Sequence, residues 1–440
     1  MAALESPPKV EVEKSEIEMD RRSYWSARIF VAAWVGYAGF YFCRKNIAWT
    51  PLPATSKHAW LGGFADLLMF FSLGYVLGQI IGGWASDRFG GRRTLLCGGL
   101  LSLTVTAFLA LSLPISVVMM LQVLNGLGQG FGWPAINKLF SIWLPRHSLA
   151  IGMAWWSSSY ALGSFLATAL ATALSTADSI PIQTGLRLSI LVPSGVLLVT
   201  TCFFFWRSRD LPSDAGIEPI NSNPPLAART SSWKSVLYNS ELQLLATMYF
   251  FLKLTRYSLL FWLPVYLIES QHATGRSALK LSSLFELVGF VGALLAAYIS
   301  DRLLDGRRYP VGATMLFLAA FVFLLHPIIS TAGPVAVGIS ISVIGILIFG
   351  PDVLISSTAV LEAVPPEQAG RASGYVNGVG SLGQMLSPLL ISLCIRWFGW
   401  NSIFNLFVVC SLIAAALLAK RWNSKPASTE TSFTQGALLS

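Results

Sequence analysis

The chain has 440 residues, 54% of them hydrophobic and only 12% charged, with a formal net charge of +9 and a mean hydropathy of +0.63. That leaves too little polar surface to cover a soluble globule, so the composition predicts an all-α, polytopic membrane protein. The positive balance reads as a topology signal and an attraction to anionic lipid, and no clustered basic face argues for nucleic acid.

Residues 1–27 form a charged stretch read as cytoplasmic. Its acidic residues are unlike a transit peptide, and no short apolar run with a small-residue cleavage site marks a secretory signal, so the first helix is expected to insert the chain. Twelve apolar segments are long enough to span, near 28–49, 60–85, 93–112, 115–140, 148–174, 185–206, 241–268, 278–299, 310–328, 333–360, 368–395 and 401–419. They divide into a six-helix half at 28–206, a polar, proline-bearing cytoplasmic linker at 207–240, a second half at 241–420 and a tail at 421–440. Lys and Arg gather on one side of the membrane, which places both termini in the cytoplasm. The plasma membrane is the default location, with an organelle membrane as the alternative.

Two arginines interrupt the apolar pattern, Arg44 in VAAWVGYAGFYFCRKNIAW and Arg256 in LLATMYFFLKLTRYSLLFWLPVYL. A guanidinium in hydrocarbon costs at least a few kcal/mol and stays charged, so such residues usually face a water-filled path and bind something anionic. They lie 212 residues apart, and a loop motif recurs at nearly the same offset: SDRFGGRR at 86–93 and SDRLLDGRR at 300–308, with Asp87 and Asp301 separated by 214. Six helices have been duplicated. In each loop a carboxylate, Asp87 or Asp301, sits at a helix end among arginines (Arg88, Arg92 and Arg93; Arg302, Arg307 and Arg308). Such a cluster can form ion pairs in one conformational state and break them in another. The alternative is plain anchoring of the loops.

Tyr37, Tyr41 and Arg44 fall at i, i+4 and i+7 and share one stripe of the first helix. Lys45 is turned about 100° from Arg44, toward a neighbouring helix where Asp66 is a possible partner. Counted from Ile29 and Leu242, the two arginines are 15 and 14 residues into their helices, roughly 21–23 Å along each axis. Both helices run outward from the cytoplasm, so the two guanidinium groups can converge on one ligand. Two planar forks suit the tetrahedral oxygens of a phosphate. The five cysteines and four histidines show no metal-ligand spacing, and no nucleophile-base set or phosphate-cradling GxxxxGK[ST] loop occurs. No cofactor, metal site or enzymatic activity is expected.

The first helix with Tyr37, Tyr41, Arg44, Lys45 and Asn46, the fourth with NGLGQGFGWPAINK and the seventh with TRYSLLFWLPVYL resemble the organophosphate:phosphate antiporters of the major facilitator superfamily. The resemblance continues through FGPDVLISSTAVLEAVPPEQAGRASGYVNG and covers nearly the whole membrane region. It implies two parallel six-helix halves around a mid-membrane site. It further implies alternating access, with glycerol 3-phosphate, a sugar phosphate or a phosphoglycerate exchanged for inorganic phosphate. Tyr37, Tyr41, Gln129, Trp133 and Asn137 would lie near the ligand. Tyr160 stands where some members have a cavity histidine, which argues against proton coupling there, and Asn377 stands where hexose-phosphate carriers have a charged pair. Glu286, 30 residues after Arg256 like an acidic residue in the family, would be a salt-bridge switch, or else a structural partner of Lys253 or Lys280. Lys253, one turn before Arg256, would meet a second negative group on the ligand, such as a carboxylate, or pair internally with Glu286.

The partners so implied are a phosphorylated small molecule, inorganic phosphate and the bilayer, and a monomer suffices. Two other classes stay open: an organophosphate sensor without transport, and a proton- or sodium-coupled organic anion symporter.

Overall fold

Hydrocarbon offers no hydrogen-bond partner to a peptide group, so an apolar chain must satisfy its amides within each segment, and helices result. A computed structural model of the protein describes residues 9–44, 57–111, 113–175, 181–217 and 232–424. Twelve long helices follow one another there: α1 Lys9–Arg44, α2 Lys57–Phe89, α3 Gly91–Phe108, α4 Ile115–Trp143, α5 Leu149–Ser175, α6 Ile182–Arg207, α7 Ser240–Glu269, α8 Gly275–Tyr298, α9 Arg308–Ile329, α10 Pro334–Glu362, α11 Ala369–Phe398 and α12 Ser402–Ala419. These correspond to the twelve predicted segments. Helix α1 reaches back to Lys9, well before the predicted start at 28, while residues 45–49 of that segment lie outside the described residues. Of the expected linker, the chain up to 217 and from 232 is described, including a short helix at Trp233–Leu237.

Nine helices are long and apolar enough to cross a membrane, judged among the described residues by length and composition. The rest are diluted: α1 is bracketed by Arg28 and Arg44, α3 opens on Arg92 and Arg93, and α5 carries Ser157, Ser158 and Ser159 in its middle.

The repeated loop is built differently in its two copies. Between α2 and α3 the chain turns on Gly90 alone, at φ 89°, a left-handed conformation that glycine adopts without a Cβ penalty. The later copy has one more residue. It is taken up by a π-helical turn at Ile299–Leu303 and by Asp305 and Gly306 at φ 49° and 78°. A second π turn, Leu354–Ala359, lies in α10 just after Pro351. Proline has no N–H to give the helix ladder, and π turns often accompany functional sites.

Two seams join the six-helix halves. On one, Trp155 of α5 packs against Phe290 of α8, with ring centroids 5.7 Å apart. On the other, α2 crosses α11 so closely that a Cβ on Gly374 would sit 3.0 Å from the Cα of Gly83, and nearer still to the Gln79 carbonyl. Only small residues allow such an approach between membrane helices. Gly374→Val should therefore pry the crossing apart, with an overpacking cost of about 1–3 kcal/mol. The measurement is thermal unfolding of the purified protein in detergent: a lowered midpoint is expected, and an unchanged one would contradict the crossing.

Candidate functional site

Arg44, the last residue of α1, is 2% exposed. Its Nε donates to Gln129 Oε1 on α4 at 2.8 Å, and its guanidinium lies over the rings of Tyr41 and Tyr75, 4.5 and 5.0 Å from their centroids. Its Nη2 has no hydrogen-bond partner, and Arg44 has no ion pair among the described residues. Gln129 is itself held, donating from Nε2 to Asn125 Oδ1 at 3.3 Å. The result is a buried cation facing aromatic planes, which stabilise it by cation–π attraction and do not themselves compensate its charge.

Arg256 comes from α7 in the other half. It pairs with Asp352 of α10, Nη1 to Oδ2 at 2.8 Å, while Tyr249 donates to the other carboxylate oxygen at 3.0 Å. Its guanidinium lies 4.4 Å from the Phe349 ring centroid and 5.1 Å from that of Tyr160. Tyr160 in turn stacks on Tyr41, centroids 5.9 Å apart, beneath Arg44. The two arginines are thus linked by a pair of stacked tyrosines. Tyr37 belongs to the same aromatic cluster, 5.9 Å from Trp133 and 4.7 Å from Trp156. Trp133 Nε1 and the Tyr160 hydroxyl are buried without partners.

Lys253, 1% exposed, also points inward. Its ammonium donates to Ser381 Oγ at 2.7 Å and Asn377 Oδ1 at 3.3 Å, and lies 5.1 to 5.4 Å from the ring centroids of Tyr75, Tyr249 and Tyr257. Arg44, Arg256, Lys253, Tyr37, Tyr41, Gln129, Trp133, Tyr160 and Asn377 therefore gather around one central region. Lys45 lies outside the described residues, and Asp66, its possible partner, is exposed on α2.

Several expectations are corrected. The family resemblance makes Glu286 a salt-bridge switch, or else a structural partner of Lys253 or Lys280; the buried cations of α7 have other partners, Arg256 pairing with Asp352 and Lys253 reaching Asn377 and Ser381. Glu286 is half-buried on α8 in a groove of about 570 Å³ that it shares with Lys280, Thr168 and Leu260. Asp352 wins because it follows Pro351 where α10 leaves regular α geometry, and it faces α7 directly. Asn137, expected in the cavity, donates to Ser373 Oγ across the α4–α11 contact at 2.6 Å and so ties the halves together. Asp352, Tyr75 and Ser381 went unread in the sequence. Asp352 had a signal, a lone carboxylate in an apolar segment, the same kind of mark that singles out Arg44 and Arg256.

The first of the two loop carboxylates is corrected as well. Asp87 does not pair with Arg88, Arg92 or Arg93. It meets Lys138 of α4 and Arg371 of α11, each at 3.2 Å, and accepts the backbone N–H groups of Gly370 and Arg371 at 2.9 and 3.0 Å. A carboxylate at a helix N-terminus is favoured by the orphan donors and dipole there. Lys138 also donates to the Pro366 carbonyl at 2.6 Å, so one charged cluster closes the arginine-rich end between the halves. Arg88 and Arg93 are exposed, while Arg92 staples α3 to the Phe205 carbonyl at 2.7 Å. In the second copy Asp301 pairs with Arg308, which also reaches Glu362 at 2.8 Å; all three belong to the second half. Arg302 is exposed, and Arg307 bonds only the local Leu304 carbonyl, at 3.3 Å, among the described residues. Duplication kept the motif, but only the first copy bridges the halves.

The chain matches the sequence family described as Major Facilitator Superfamily over residues 29–379 and 353–439. It is 26% identical over 424 residues to the glycerol-3-phosphate transporter of Bacillus subtilis (strain 168), covering 90% of this chain and 92% of that protein. It is also 26% identical over 443 residues to the membrane sensor protein UhpC of Salmonella typhimurium (strain LT2), with coverage of 97% and 98%. To the glucose-6-phosphate exchanger SLC37A2 of Bos taurus it is 26% identical over 422 residues, with coverage of 84% and 82%. A solved structure of the proton:xylose symporter XylE bound to 6-bromo-6-deoxy-D-glucose superposes with a TM-score of 0.72 over 91% of this chain and 96% of that one, at 14% identity. That likeness shows the fold.

Asp87→Asn should weaken the closed end, since removing one partner of a buried ion pair costs about 3–5 kcal/mol. Introduced as Ser373→Cys, a thiol at the Asn137 contact should react several times faster with a soluble maleimide once Asp87 is neutralised. Equal labelling rates in the two backgrounds would contradict the latch.

Proposed function

The chain belongs to the Major Facilitator Superfamily, and we propose that it exchanges a phosphorylated small molecule for inorganic phosphate across the membrane by alternating access. The observation that carries this reading is Arg44: a buried guanidinium with an unpartnered Nη2 and no ion pair among the described residues. A cation so placed is costly unless an anion completes it. Arg256 approaches from the other half through the Tyr41–Tyr160 stack, and two forks offer charge-assisted, bidentate hydrogen bonds to phosphate oxygens. Transport of phosphorylated compounds is also what the names of the Bacillus and Bos taurus relatives state.

In this reading phosphate draws the two arginines onto one ligand, neutralises the site and lowers the barrier to rocking of the halves. An unfilled site would have to carry excess positive charge through the closed intermediate, so it reorients slowly and the cycle is an exchange. Tyr37, Tyr41, Trp133 and Tyr160 wall the ligand, Gln129 orients Arg44, and the Asp87 cluster opens and closes one side. We place that arginine-rich end and both termini in the cytoplasm, and the protein, as a monomer, in the plasma membrane. The similarity to a protein named as a membrane sensor supports a second reading, ligand binding without flux; intact binding beside absent flux would favour it.

Arg44→Lys and Arg256→Lys should each bring phosphate exchange in proteoliposomes close to background. A lysine keeps the charge but loses the fork, and one charged hydrogen bond, about 1.5–3 kcal/mol, is worth a factor of about ten to a hundred. Exchange near the wild-type rate in either variant would reject the site.

A further inference from the structure

Helices α8 and α10 run in the same direction through the second half, since α9 returns the chain between them, and their apolar spans begin at Lys280 and Pro334. Farther along, the two backbones touch. A Cβ on Gly292 would sit 2.1 Å from the Ile346 carbonyl oxygen, and one on Gly345 would sit 2.6 Å from that of Phe285. Nearer the start of the spans the helices part: at Gly338 a Cβ would meet only side chains, Leu281 at 3.2 Å and Leu284 at 3.8 Å. The space so left is a groove of about 610 Å³, walled by Leu281, Leu284, Val335, Ile339, Val343 and Ile346. Val335 and Ile339 on its rim are 76% and 62% exposed.

The groove has a polar mouth and an apolar length. Lys280 and Ser277 line it at the end where the spans begin. Lys280 is exposed and forms no ion pair among the described residues. Ser277 Oγ accepts from Thr274 Oγ1 at 3.0 Å, which leaves its own hydrogen to donate to an anion. Farther in, Ser342 is already bonded to the Gly338 carbonyl at 2.8 Å. From Pro334 to Ile346 the groove descends twelve residues, about 18 Å, against about 15 Å for half of a bilayer's hydrocarbon core. It is one leaflet deep, with a cation at the headgroup end. The cleft on the other flank of α8 also reaches Lys280, but it holds Glu286 and Thr168, polar groups that an acyl chain cannot satisfy.

We propose that this groove binds one phospholipid with an anionic headgroup, its phosphate held by Lys280 and Ser277 and one acyl chain laid between α8 and α10. Bulk lipid tails are as apolar as the groove, so the chain is held by van der Waals packing in a preformed slot. The headgroup charge supplies the selectivity, and one lysine beside an anionic lipid is worth about fivefold in affinity. Both walls belong to the second half, so the site does not depend on how the halves are arranged. It is separate from the buried cations of the central region and stands whether or not the protein exchanges phosphate.

The test uses the full chain in an uncharged detergent, titrated with dioleoyl phosphatidylglycerol or dioleoyl phosphatidylcholine, which share their chains and differ in headgroup charge. Bound lipid is counted by native mass spectrometry. Wild type should hold one phosphatidylglycerol about fivefold more tightly than phosphatidylcholine. Lys280→Gln should remove that preference and Lys280→Arg should keep it, while Arg396→Gln, which takes the same charge from an exposed position at the same end, should leave it unchanged. Ser342→Phe, which fills the groove, should weaken both lipids by about tenfold; should it not fold, Ile339→Trp on the rim takes its place. Millimolar inorganic phosphate should not displace phosphatidylglycerol. An undiminished preference in Lys280→Gln, an equal loss in Arg396→Gln, unaltered binding in the groove-filling variant or displacement by phosphate would each overturn the site. Equal losses would leave only a general attraction of this end for anionic lipid, and displacement would leave a site for free anions.

Discussion

A buried guanidinium with no ion pair among the described residues, set against tyrosine rings, is the constraint to which the other parts of this protein answer. Arg44 cannot lose its proton, and burial makes its charge expensive. Gln129 fixes one edge of it, Tyr41 and Tyr75 lie over its faces, and its Nη2 is left without a hydrogen-bond partner. The second half solves the same problem differently, supplying Asp352 to Arg256 from within. The duplicated arginines are therefore equivalent in position but unequal in charge balance. Lys253, one turn away on α7, is a further buried cation, held by Asn377 and Ser381.

The close α2–α11 crossing, through Gly83 and Gly374, lets the halves touch backbone to backbone. Asp87 then fastens that contact with charges that are all recruited from outside its own loop: Lys138, Arg371 and the first amides of α11. The Asp301–Arg308–Glu362 cluster, by contrast, lies wholly within the second half. The single-residue difference in the two loops, absorbed as a π turn at Ile299–Leu303, goes with this difference in role.

Much of this was legible in the sequence, and the reason is period and position. Apolar runs of bilayer length predicted the twelve helices, and the shared offset of the arginines and the Asp-Arg loops predicted the duplication. Helical spacing placed Tyr37, Tyr41 and Arg44 on one stripe, as found. What stayed hidden depends on which helices touch. Arg256 and Asp352 are 96 positions apart, and Asp87 and Arg371 are 284 apart, so no local pattern joins them. Family resemblance pointed to Glu286, a carboxylate at a familiar spacing; the chain instead placed its carboxylate on α10 after Pro351. Asn137 was assigned to the ligand cavity from the same resemblance and proves to tie α4 to α11.

The central claim is that one phosphate is held by both arginines. The most direct measurement is the phosphorus-to-guanidinium dipolar coupling by solid-state NMR, on arginine-labelled protein in lipid with bound inorganic phosphate. Arg44→Lys and Arg256→Lys samples assign the signals. With each guanidinium nitrogen about 2.7–2.9 Å from a phosphate oxygen, strong dephasing is predicted for two arginine side chains, one lost in each variant. Dephasing of a single arginine, or of arginines other than Arg44 and Arg256, would contradict the account.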